Sequence, residues 1–150
     1  MSVTRMFGCS LVAVLAMGCS SGSVSPRFSG FAYSSVTPQC GPADGPAVAI
    51  YLAPTQAGAN DPSAPYVRVY VSVWVTQLAG VWPISTNSQA GAWFQPDAST
   101  NEVAESGYMF VSSVDSDNTV TGSVDLQFPN AGHIKTAFRA KFRPSNILCG

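Results

Sequence analysis

An all-β fold, a single antiparallel β-sandwich or β-barrel of about seven or eight short strands, follows from three observations. Apolar residues alternate with polar ones at period two over Tyr66–Thr76, where Val67, Val69, Val71, Val73 and Val75 point one way. Five valines at that spacing cannot line one stripe of a helix. Clusters of Pro, Gly, Asn and Asp punctuate the chain at Gly41–Pro46, Pro54–Pro65 and Asp115–Asn118, as turns between strands do. No helical periodicity develops after residue 19.

The strands read in order as follows. Arg27–Ser35 carries Phe28, Phe31 and Tyr33. Ala47–Leu52 sets Val48, Ile50 and Leu52 on one face. Tyr66–Thr76 is the clearest, followed by the weaker Gly80–Ile84 and Ala90–Phe94. Ser106–Val114, Thr119–Phe128 and Ile134–Phe142 complete the set. Seven or eight short strands with such turns suit a sandwich or a closed barrel equally well.

The final hairpin is constrained further. Val120, Gly122, Val124, Leu126 and Phe128 share one face; so do Ile134, Thr136, Phe138, Ala140 and Phe142. The two apolar rows meet only if opposed residue numbers sum to an even value, because a one-residue slip turns a whole row to solvent. A three-residue loop, Asn130-Ala131-Gly132, satisfies this and opposes Phe128 to Ile134 and Val124 to Phe138. It also places the glycine where a type I turn with a bulge needs positive φ.

Composition bounds the class. Of 150 residues, 46% are hydrophobic and only 10% charged, the reverse of a disordered chain. One domain of this size buries a real core. Seven basic and eight acidic side chains offer no net positive field for nucleic acid.

The N-terminus carries a separate signal. Arg5 precedes an apolar run of eleven residues, Phe7–Met17. A bilayer-spanning helix needs about 20, so the run matches the apolar region of a secretory signal peptide instead. It ends Leu15-Ala16-Met17-Gly18-Cys19, which resembles the lipobox of bacterial lipoprotein precursors. The resemblance covers only the first twenty or so residues. It implies diacylglycerol transfer to the Cys19 sulfur, removal of residues 1–18 and acylation of the new amino terminus. It also implies an exported protein, lipid-anchored in the cell envelope. Ser20 is not the aspartate that retains such lipoproteins in an inner membrane, which implies the outer membrane where a source has one. Residues 19–26, rich in Ser and Gly, read as a tether spanning about 15 Å; residues 27–150 read as the β domain.

With Cys9 in the leader and Cys19 lipidated, Cys40 and Cys149 remain. Exported compartments are oxidising, so a Cys40–Cys149 disulfide is expected. It would close a loop of about 110 residues, a constraint of ~4–5 kcal/mol on the unfolded chain.

Catalytic and metal signals are weak. His133 is the only histidine, too few for a His-based zinc site; it reads as a solvated turn residue. Asp115-Ser116-Asp117-Asn118 lacks the glycine and distant glutamate of a calcium-binding hand and reads as a turn. Glu102 and Glu105 offer half of a carboxylate pair for glycoside hydrolysis. No catalytic residue, cofactor or metal is assigned.

Two surface constellations stand out. Tyr66, Arg68, Tyr70 and Trp74 share the non-valine face of one strand and form either a ligand face or a second apolar layer. Lys135, Arg139, Lys141 and Arg143 share one face of the last strand and either touch an anionic surface or merely solvate the sheet. Asp125 is expected diagonal to Lys135 and Arg139. The leading expectation is a non-enzymatic binding or structural module, with an envelope protein, a glycan or a small molecule as partner. The alternative is a small envelope hydrolase using carboxylates.

Overall fold

The computed structural model describes residues 30–41, 44–60, 62–85 and 88–143. The expected leader and tether, with Cys19, Arg27, Phe28 and Cys149, lie outside the described residues.

Among the described residues nine strands form one mixed sheet: β1 (Tyr33–Cys40), β2 (Pro46–Ala53), β3 (Tyr66–Val71), β4 (Gly80–Ile84), β5 (Ala90–Gln95), β6 (Glu102–Val103), β7 (Ser106–Val114), β8 (Thr119–Phe128) and β9 (Gly132–Phe142). A short helix, α1 (Gln56–Asn60), follows β2, and a 3₁₀ turn spans Val75–Gln77. The spatial order is β4-β7-β8-β9-β1-β2-β3-β5-β6. The all-β expectation holds. The strand count is higher than expected, and the sheet is not purely antiparallel, because β1 pairs parallel with β9 through Ser35 opposite Lys141 and Val36 opposite Phe142. That pairing joins strands far apart in the chain, so no local pattern announces it.

The sheet curls into a half-barrel around its core. Ala104 donates its N–H to Ala92 O at 2.9 Å, and Glu105 donates to Gln127 O at 2.9 Å, which draws the β5–β6 edge round towards β8. Across the interior the Phe94 and Phe128 rings meet edge to face, 5.9 Å between centroids. Val67, Val69 and Val71 are fully buried in this core, with Met109, Val124 and Leu126 facing them from the other half of the sheet.

Local pattern and structure part at instructive points. The valine strand stops at Val71. Ser72 turns away to donate to Gln89 O at 2.9 Å, and the 3₁₀ turn then delivers Leu78, fully buried, into the core. Filling that end of the core outweighs continuing the alternation, as β preference generally yields to packing. β1 begins at Tyr33, past Phe31, and runs to Cys40 rather than ending at Ser35, and Val36 is its one fully buried apolar side chain. β6 has two residues, too short for a period to show. β2 is buried on both faces, with Ala47, Ala49, Tyr51 and Ala53 opposite the apolar row. On that second face α1 approaches β1, where Ser35 Oγ donates to Ala59 O.

The last hairpin keeps the even-sum rule and a three-residue loop, but the loop begins one residue earlier than expected and the register shifts accordingly. Phe128 pairs with Gly132, Leu126 with Ile134 and Gly122 with Phe138. The loop is Pro129-Asn130-Ala131, with Pro129 suited to the first corner of a type I turn. Gly132 takes φ 77°. Parity alone decides which face is buried, so Ile134, Phe138 and Ala140 still face inward.

Candidate functional site

The second face of β2, β3 and β5 carries a stacked row. Register sets Tyr51 beside Arg68, Arg68 beside Trp93, and Trp93 beside Val103. The Arg68 guanidinium carbon lies 4.6 Å from the Trp93 ring centroid, a cation–π distance. Tyr70 meets the same indole edge-on at 6.4 Å, and Tyr66 meets Tyr51 at 5.7 Å. The register neighbour of Tyr70 is Gly91, where a Cβ would sit 2.8 Å from the Trp93 ring. Glycine there leaves the indole room to lie along its strand.

Hydrogen bonds orient the tyrosines. Tyr66 donates to Gln95 Oε1 at 2.7 Å, Tyr51 accepts from Gln39 Nε2 at 2.9 Å, and Tyr70 accepts from Ser72 Oγ at 3.1 Å. Arg68 Nε is buried without a hydrogen-bond partner. Beside this cluster opens a groove of about 290 Å³, lined by Tyr70 and Trp93 with Ser72, Ser85, Ser88 and Val103 among its other walls. Aromatic faces beside a few hydroxyls are the usual makings of a small-molecule site.

Of the expected face, Tyr66, Arg68 and Tyr70 stand together on β3. Trp74 does not join them: it lies past the strand end, before the 3₁₀ turn, and is 63% exposed. Trp93 takes its place. Period two over Ala90–Phe94 was the available signal, since it turns Ala90, Ala92 and Phe94 inward and Trp93 outward. Which strand Trp93 would lie beside was not legible.

The carboxylates have other work. Glu102 accepts the backbone N–H groups of Asn130 and Ala131, the latter at 3.1 Å, and so ties β6 to the β8–β9 turn. Among the described residues, no Asp or Glu lines the groove. Asp115–Asn118 forms the β7–β8 turn, with Asn118 N donating to Asp115 O at 2.9 Å and Asp117 Oδ1 accepting from Thr119 N at 3.1 Å. Among the described residues no group of three or more His, Cys, Asp or Glu is placed to hold a metal ion.

The basic row lies on the outer face of β9, with Lys135, Arg139 and Lys141 exposed there and Arg143 exposed just past its end. Asp125 is directly opposite Lys135 rather than diagonal to it, the consequence of the shifted register. Its carboxylate meets His133 Nε2 at 2.6 Å and Lys135 Nζ at 2.8 Å. These two contacts, His133 first, hold the Asp125 carboxyl below the usual carboxylate range, and Asp125 in turn holds Lys135 above its ordinary value. His133 is thus a strand residue paired across the hairpin rather than a turn residue. Lys141 reaches Asp117 at 3.7 Å.

Cys40 ends β1, half-buried. No helix among the described residues is long and apolar enough to cross a membrane. Comparison with family models, with curated proteins and with solved structures finds no match to this chain.

Proposed function

We propose that this chain is a lipid-anchored module of the cell envelope that binds a small ligand, a neutral glycan fragment by preference, in the groove beside Trp93. The Arg68–Trp93–Tyr70 cluster carries the reading. It presents an indole and a phenol next to serine hydroxyls without an adjacent carboxylate, a combination that stacks on sugar faces and directs hydroxyl groups. Commitment of Glu102 to the β8–β9 turn weighs against the carboxylate-hydrolase alternative. A Cys40–Cys149 bridge belongs to the same proposal and suits an exported domain.

Titration with neutral oligosaccharides, read by tryptophan fluorescence, tests the groove. Trp93→Ala is expected to weaken binding about thirty-fold, ~2 kcal/mol, the scale of an aromatic anchor in a pocket. No saturable signal, or one indifferent to Trp93→Ala, counts against the site.

The anchor is tested separately. Cys19→Ser is expected to shift the protein from membranes to the soluble envelope fraction and to abolish lipid labelling. Retention on membranes with an unchanged label would refute the lipoprotein reading.

A further inference from the structure

At the other end of the sheet order, the outer face of β4, β7, β8 and β9 carries two parallel columns of opposite character. The first is apolar. Val81 on β4 is opposite Phe110 on β7, and Pro83 is opposite Tyr108. Val81 is 63% exposed, Tyr108 42% and Phe110 41%. Large apolar side chains gathered on one exposed sheet face mark an interaction surface, where scattered ones do not. The second column is the basic row of β9. The strand between them is polar: β8 sets Ser123 beside Phe110 and Asp125 beside Tyr108.

Charge on this face is in positive excess. Asp125 faces Lys135 and His133, and Asp117 faces Lys141. Among the described residues no acidic group forms a close ion pair with Arg139 or Arg143, although the Arg139 charge does act on Asp117. This excess sits on a chain whose formal net charge is −1, so it is a local feature.

We propose that this face is a contact surface for an anionic phospholipid bilayer, with Val81, Tyr108 and Phe110 entering the interface and the β9 cations meeting headgroup phosphates. The columns lie two strands apart, about 10 Å. A bilayer changes from acyl chains to outer headgroups over a comparable depth, ~5–8 Å per leaflet. A modest tilt therefore satisfies both columns at once. Aromatic side chains favour that interfacial depth, and cations near an anionic leaflet are attracted to it. A soluble polyanion would satisfy the β9 column but leave the apolar column in water. A second copy docked through the same face would set one cationic column against another.

The test uses the full chain on vesicles of bromine-labelled lipid, with Phe110→Trp placing an indole in the apolar column. Its emission is read as the difference from the unsubstituted chain. On phosphatidylglycerol vesicles the added indole is expected to shift to the blue and to be quenched by the acyl-chain bromine. On phosphatidylcholine vesicles both effects should be absent. Raising salt, or adding Arg139→Glu with Lys141→Glu, should abolish them on phosphatidylglycerol as well, because the attraction is screened and then reversed. Tyr108→Trp gives the same reading if Phe110→Trp does not fold. All chains compared share one leader, so acylation at Cys19 does not enter the difference, and Trp93 is unaltered throughout. An indole unshifted on both lipids overturns the proposal. So does quenching that is equal on both lipids or indifferent to charge reversal. A blue shift without vesicles that grows with protein concentration overturns it in favour of self-association.

Discussion

Phe128→Ala is expected to destabilise the domain by about 3–5 kcal/mol, the range for removing a buried aromatic ring. Phe128 ends β8 fully buried, and its ring is the partner of Phe94 from β5. Those strands are separated in the sheet order by β9, β1, β2 and β3, so the contact spans the interior of the curl. Deleting the ring removes its own transfer free energy and leaves a cavity between the two halves of the sheet. Against a usual total of ~5–15 kcal/mol, the loss is a large part of the stability. Urea unfolding measures it. Phe110→Ala, on the outer face, is the comparison, with an expected change within about 0.5 kcal/mol. Equal costs at the two positions would mean that Phe128 does not join the halves of the core.

The second large effect is expected at Gly107→Ala, a change of one methyl group. Gly107 has φ 140°, a backbone region that L side chains rarely adopt. It is paired with Leu126, and a Cβ there would lie 2.2 Å from Asp125 O and 2.9 Å from Leu126 Cα. Both are backbone atoms, so no rotamer change relieves the clash and β7 must move off β8. Strain of about 1–3 kcal/mol and overpacking of ~1–3 kcal/mol combine to about 3 kcal/mol or more. Gly80→Ala separates the two causes. Gly80 has φ 136°, but nothing lies within 4 Å of its Cβ position, so only the strain should appear. Urea unfolding of both variants, with hydrogen exchange at the β7 and β8 amides, reads the difference. Comparable losses for the two glycines would remove the close-approach argument.

Strands whose side chains alternate cleanly were legible in the sequence. β4, β7 and β8 match the expected bounds to the residue, and Val67, Val69 and Val71 do face the core. Register parity in the last hairpin was legible too, since the wrong parity would bury Lys135 and Arg139. The register itself was not. Sums of 260 and 262 bury the same apolar face, and the choice between them lies in how Pro129-Asn130-Ala131 closes the turn. Nor was the site legible as a whole. Tyr66, Arg68 and Tyr70 could be placed together because they lie on one strand. Trp93 could not, because its contact with Arg68 depends on β5 pairing with β3 across the intervening β4.

The sequence by itself determined the all-β class, most strand positions and which side chains each strand turns to one face. These depend on steric alternation along a single extended segment. It also carried the segment that resembles a lipoprotein leader, a likeness read from a linear motif. Only the tertiary structure decided that β1 lies parallel to β9, that the sheet curls, and that the valine strand breaks at Val71 so that Leu78 enters the core. It likewise decided that Arg68 stacks on Trp93 while Trp74 stands apart. Each of these is settled by filling one shared core with segments distant in the chain, a constraint that no single strand contains.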